Sequence, residues 1–194
     1  MIGRILSALS PYVKEVEEVD AKDISRKRGF SCFPISLLPN ELPYFSQRIE
    51  EFVRLRARRD LPETQFHSET LKLEEIVEIG GFLSHSFQTG EIRELEYLYP
   101  KNSSIIINMH GIGFGHNLKN LTLKILGNED LIFYHTHPLG VEFYSSSDIL
   151  THSDIGSKVA EVNEGKSYFY GVLYIPLSDS FKWYGSKKIC LHER

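Results

Sequence analysis

From Leu71 onward, short β-branched or aromatic runs take turns with segments of helical spacing. Ile76 to Phe87 is apolar enough for a buried strand, and its Gly80 and Gly81 would allow another backbone or a ligand to come close. Arg93 to Tyr99 and Ser103 to Met109 predict the next two strands. Asn117 to Leu126 carries Leu118, Leu121, Ile125 and Leu126 at helical spacing, with Gly127 placed to end a helix in a left-handed cap. Leu131 to His135 predicts a strand that runs straight into His137, and Ser145 to Val162 a helix with Ile149, Ile155, Val159 and Val162 apolar. Tyr168 to Ile175 and Phe181 to Tyr184 predict a hairpin across Pro176 to Ser180. This alternation of strands and helices predicts an α/β domain with a mixed sheet, and no repeat or low-complexity tract interrupts it.

The first third reads differently. Up to about Thr64 the chain is charge-rich and punctuated by proline, so residues 1–64 are taken as an amino-terminal extension and residues 65–194 as the main domain. Within the extension Val13, Val16 and Val19 recur at helical spacing, Gly29 to Ile35 fits a short strand, and Ser46 to Arg59 fits a helix with Ile49, Phe52, Val53 and Ala57 on one face. The same helix carries Arg48, Arg54, Arg56, Arg58 and Arg59, which form either a solvated polar face or a docking surface for an acidic partner.

Composition narrows the function classes. With 41% hydrophobic and 25% charged residues, the chain has the balance of a folded protein. At its length one core buries roughly 70% of the unfolded surface, so folding does not depend on disulfides. The two cysteines, Cys32 and Cys190, fit a reducing cytoplasm. A formal net charge of -4 argues against a general nucleic-acid binder. Met1 to Tyr12 lacks the apolar region of a secretory signal, and no stretch approaches the ~20 apolar residues of a membrane helix. The expectation is a cytoplasmic protein.

Candidate chemistry concentrates in His135-Thr136-His137-Pro138, followed by Ser145-Ser146-Ser147-Asp148. On a strand, residues i and i+2 point to one face, so His135 and His137 can aim both imidazoles at one point. Pro138 turns the chain, and Asp148 can return as a third ligand. Two imidazoles and one carboxylate suit Zn2+, and three protein ligands leave one position open, as catalytic sites do. Ser145 and Asp148 also form an S-x-x-D capping box, a reading compatible with ligation because the cap would fix the direction of the Asp148 carboxylate. Hydrolysis at such a centre needs a base. Among many acids Glu78 stands out, because a carboxylate opening a buried strand calls for a partner. Thr136 and His152 are candidates for supporting positions, His152 with a helix-surface place as its alternative. His67, His85, His110 and His116 are read as surface or core histidines.

With Glu78-Ile79-Gly80-Gly81-Phe82-Leu83 upstream of this motif, the chain resembles the JAMM (MPN-plus) metalloprotease family over about Leu71 to Tyr184. The resemblance implies a cytidine-deaminase-like core, a mixed β-sheet flanked by helices. It also implies Zn2+ on His135, His137 and Asp148, Glu78 as general base and then acid, and Ser145 as hydrogen-bond donor to the oxyanion. The implied substrate is an isopeptide or peptide bond after the C-terminal Gly-Gly of a ubiquitin-like modifier, making that modifier or its conjugate the expected partner. Alternatives are maturation of a sulfur-carrier protein or of a short C-terminal peptide, or a non-catalytic scaffold or RadC-like module. The His-Thr-His-Pro and Ser-Ser elements are similar to AMSH-type deubiquitinases, and Gly80-Gly81 to stand-alone prokaryotic members. Where AMSH-type enzymes carry a histidine for a structural zinc, this chain has Leu150, so one ion only is implied.

Overall fold

The structure, a computed structural model, describes residues 32–68, 70–72, 75–98, 129–162 and 168–188. The strand expected over Ser103 to Met109, the helix over Asn117 to Leu126 and the valine repeat near Val13 lie outside them, as do His110, His116 and Cys190.

Among the described residues six strands form one mixed sheet: β1 (Cys32–Ser36), β2 (Gly80–Ser86), β3 (Ile92–Leu98), β4 (Glu129–Thr136), β5 (Phe169–Ile175) and β6 (Ser180–Lys188). Their order is β1-β6-β5-β4-β2-β3, and only the central β4–β5 pair is parallel. A parallel pair needs a long crossover, supplied here by helix α2 (Ser146–Val162). Helix α1 (Ser46–Asp60) covers the other face.

Strand alternation assigns the layers. Ile132 and Tyr134 of β4 pack with Ile49, Val53 and Ala57 of α1, with Val172 and Tyr174 of β5, and with Trp183. Leu131 and Phe133 face the opposite way, against Ile155 and Val159 of α2 and Phe169. His135 follows Phe133 by two residues, stacks on its ring at 5.1 Å, and so sits on the α2 face. Fully buried Val or Ile side chains contribute roughly 1.5–3 kcal/mol each, so the α1 face is a substantial part of the fold.

Two sequence expectations change. Residues 32–64, set apart as an extension, share the core with the rest, because β1 pairs with β6 and α1 closes one sheet face. Glu78 does not open a strand: β2 starts at Gly80, and the main-chain N–H of Ile79 goes to the Thr136 side chain. At Gly81 backbone does come close, as the glycine pair allows. A methyl there would lie 2.5 Å from the Glu96 carbonyl on β3 and 2.8 Å from the Tyr134 hydroxyl.

Candidate metal centre

β4 delivers the two histidines. Its ladder to β5 continues one residue past the strand, His137 N–H donating to the Tyr174 carbonyl at 3.0 Å, and His137 itself is extended (φ -111, ψ 123). The i, i+2 geometry therefore holds, and the two Nε2 atoms lie 3.1 Å apart. Pro138–Gly140 then forms one tight turn in which Leu139 (φ 60) and Gly140 (φ 71) are both left-handed. For a leucine that conformation costs of order 1–3 kcal/mol, a strain of the kind that collects at functional sites.

The capping box forms as the S-x-x-D spacing predicts. Asp148 Oδ2 accepts from the Ser145 N–H (2.7 Å) and the Ser145 Oγ–H (2.6 Å), while Asp148 N–H donates to Ser145 Oγ (3.2 Å). The cap aims the carboxylate at the histidines: Oδ1 lies 3.3 Å from His135 Nε2, and Oδ2 lies 3.2 Å from His137 Nε2.

His135, His137 and Asp148 can hold a metal ion, with their donor atoms all within 4.8 Å of one another. The two imidazole nitrogens stand 3.1 Å apart, and each lies 3.2–3.3 Å from one oxygen of the Asp148 carboxylate, Oδ1 for His135 and Oδ2 for His137, so all three groups border one small space. Donors about 2.0–2.2 Å from a tetrahedral ion must stand roughly 3.3–3.6 Å from each other. Among the described residues this is the only such group.

The electrostatics also favour a cation. Burial opposes ionisation of Asp148, yet attraction from His135 and hydrogen bonds to both histidines hold its carboxyl well below the usual carboxylate range. For His137, burial disfavours the charged ring, but the hydrogen bond and charge of Asp148 outweigh it and raise the pKa. Burial raises the pKa of Glu78, the histidines pull it down, and Asp148 pushes it up again. The pre-strand segment thus places Glu78 within electrostatic reach of all three ligands. Two carboxylates beside two neutral imidazoles would leave two negative charges that a divalent ion neutralises.

Beneath the ligands lies a layer that sequence reasoning found only in part. His152 is not on the helix surface: it is fully buried, its Nε2 is 2.8 Å from Ser186 Oγ, and burial, with repulsion from His135, lowers its pKa to about 3. It is a neutral imidazole. Tyr144, one residue before the cap, lies 5.4 Å from the His135 ring and stacks at 3.6 Å on Tyr184. Both sit where Gly171 has no side chain; a methyl there would overlap the Tyr144 hydroxyl and come within 2.7 Å of His152 Nδ1. Nothing local in the sequence marks Gly171, because its neighbours arrive from α2 and from the turn before it.

Of the other histidines, the two among the described residues match their bland readings. His67 is exposed and pairs with Glu63 at 3.0 Å, while His85 is buried and takes a hydrogen bond of 2.9 Å with Tyr44. The arginines of α1 are mostly engaged internally: Arg48 with the Gly90 carbonyl, Arg54 with Asp179, Arg56 with Glu94 and Arg59 with Asp60. That weakens the docking-surface reading. No described helix is long and apolar enough to cross a membrane.

No family model, curated protein or solved structure matches this chain. The functional reading therefore rests on the residues themselves.

Proposed function

We propose that this chain is a zinc-dependent peptidase that hydrolyses the isopeptide or peptide bond after the C-terminal Gly-Gly of a ubiquitin-like modifier. One observation carries the catalytic part: two imidazoles and a capped carboxylate converge at metal-ligand spacing with Glu78 beside them. The substrate class rests on the resemblance of Glu78-x-Gly80-Gly81 and His135-x-His137-Pro138…Ser145-x-x-Asp148 to the JAMM motif. The same resemblance is the reason for naming zinc and a cytidine-deaminase-like core within the α/β fold.

His135, His137 and Asp148 would hold the ion. When bound, zinc supplies Lewis acidity and lowers the pKa of water at the open position. Glu78 takes a proton from the attacking water and returns it to the departing amine, a task that benefits from a carboxyl whose pKa is raised toward working pH. Ser145 serves twice. Its N–H keeps Asp148 in place, while its hydroxyl, which donates to Asp148 Oδ2, can turn to an oxyanion without releasing the backbone half of the cap.

The test combines metal analysis with cleavage of Gly-Gly-terminated fusions. Wild type should hold one zinc per chain, and Glu78→Gln should keep the zinc but cleave about 10²–10⁴-fold more slowly. Absence of stoichiometric zinc, or wild-type cleavage by the Gln variant, would remove the assignment.

A further inference from the structure

Glu78 stands outside the regular ladder, since β2 begins two residues later, so something else must fix how it approaches the histidines. The residue between those histidines does. Thr136 is fully buried and engages both polar groups of the Ile79 main chain: its N–H donates to the Ile79 carbonyl (2.9 Å), and its Oγ1 accepts the Ile79 N–H (3.0 Å), with the hydroxyl also 3.5 Å from that carbonyl. Opposed residues of an antiparallel pair can exchange two backbone hydrogen bonds. Extending the Gly80↔His135 register puts Ile79 opposite Thr136, and there the threonine hydroxyl takes the acceptor place of its own carbonyl.

This substitution ends the ladder in a defined way. Beyond it His137 bonds to Tyr174 on the other side of β4, while the β2 chain is released toward Glu78. Ile79 is itself fully buried in the α1 core. Glu78 is therefore one peptide away from a residue held by packing and by hydrogen bonds to Thr136. Alternation places the Thr136 side chain away from the histidines, on the Ile79 side of the sheet.

We propose that Thr136 is the positioning residue for Glu78: its hydroxyl, by holding the Ile79 N–H, sets where the Glu78 carboxylate stands relative to His135 and His137 without helping to hold the metal. The proposal rests on the peptidase reading for its catalytic consequence, and its geometry can be tested apart from activity.

The experiment uses the full chain with Thr136→Val, which deletes the hydroxyl at nearly constant shape, and Thr136→Ser, which keeps it. Zinc affinity should be unchanged in both. In the Val variant kcat should fall about 100-fold, the cost of a misplaced catalytic group, with KM unchanged, and the Ser variant should restore it. Adding Thr136→Val to Glu78→Gln should cost nothing further, because the group it positions is already gone. In cobalt-substituted protein the visible absorption should shift alike in Thr136→Val and Glu78→Gln, and not in Thr136→Ser. Loss of zinc by the Val variant, unchanged kcat, failure of Ser to rescue, or an additive double variant would overturn the assignment. Should the Val variant not fold, Thr136→Cys, with its weaker acceptor, must lower kcat at full zinc occupancy; wild-type kcat in it overturns the proposal equally. If wild type cleaves nothing, the peptidase reading fails, and the cobalt spectra alone decide whether Thr136 places Glu78.

Discussion

At Gly171 the site depends on the absence of an atom. The Tyr144 hydroxyl and the His152 ring occupy the space a methyl would take, and Tyr144 in turn borders His135. Gly171→Ala should therefore displace both, destabilising the fold by about 1–3 kcal/mol as overpacking does and weakening zinc binding at least tenfold; thermal melting and a competitive chelator titration would measure the two. Asp130 supports a second expectation at this scale. Burial raises its carboxyl to about 6, in part against the hydrogen bond from the Tyr168 N–H, while the unfolded value is near 3.9. Between those values the folded chain keeps a proton that the unfolded chain has released, so this residue's contribution falls as pH rises from about 4 to 6 and is level above. Asp130→Asn should thus gain stability relative to wild type across that window, by an amount on the order of 3 kcal/mol; a difference independent of pH in denaturant titrations would refute the assignment. The convergence of His135, His137 and Asp148 was legible in the sequence because an i, i+2 pair and a capping box are local codes. Tyr144 and Gly171 were not, because their roles exist only once β5 lies beside β4.

The elements were legible to the extent that their side chains obey one period. Helix α1 was expected over Ser46 to Arg59 and spans Ser46–Asp60, since Ile49, Val53 and Ala57 recur on one face and all three are buried. Ile49→Ala should cost about 2–5 kcal/mol, as large-to-small core changes do, a loss that an exposed extension helix would not suffer. The start of β2 was misread for a definite reason: apolar patterning continues back through Ile76 and Ile79, both buried, but the hydrogen-bond ladder stops where a threonine hydroxyl replaces a carbonyl. Pattern reports burial and does not report which acceptor an amide finds. The cap of α2 is the reverse case. Ser145→Ala leaves Asp148 with one donor fewer in the cap, and should cost about 1 kcal/mol in stability while slowing cleavage more than it weakens zinc binding; equal losses in isothermal titration and turnover would assign the serine to the cap alone.

At the scale of the molecule, strand order could not be read from the chain. β1 and β6 pair across most of the sequence, and β4 sits between β5 and β2, so His135 and Asp148 meet, and Glu78 comes within their electrostatic reach, only because the central strands are correctly ordered. This joins the first third of the chain to the candidate metal site. Removing residues 1–64 would take away β1 and α1, uncover Ile132, Tyr134, Val172 and Tyr174, and so loosen β4, which carries both histidines. The truncated chain should lose near-ultraviolet circular dichroism and zinc together; a folded, zinc-loaded fragment from residue 65 would mean that the sheet tolerates the loss. The coupling should run in the other direction as well. A cation that binds only where β4 and α2 are assembled stabilises the fold by about 4 kcal/mol at a thousandfold excess over its Kd, or roughly 10 °C in Tm for a chain of this size. Chelation should abolish that difference. Acid should narrow it as well, because protons compete with an ion for its ligand nitrogens, whereas a Tm indifferent to chelator at every pH would place the cluster outside the folding equilibrium and leave it without a metal to hold.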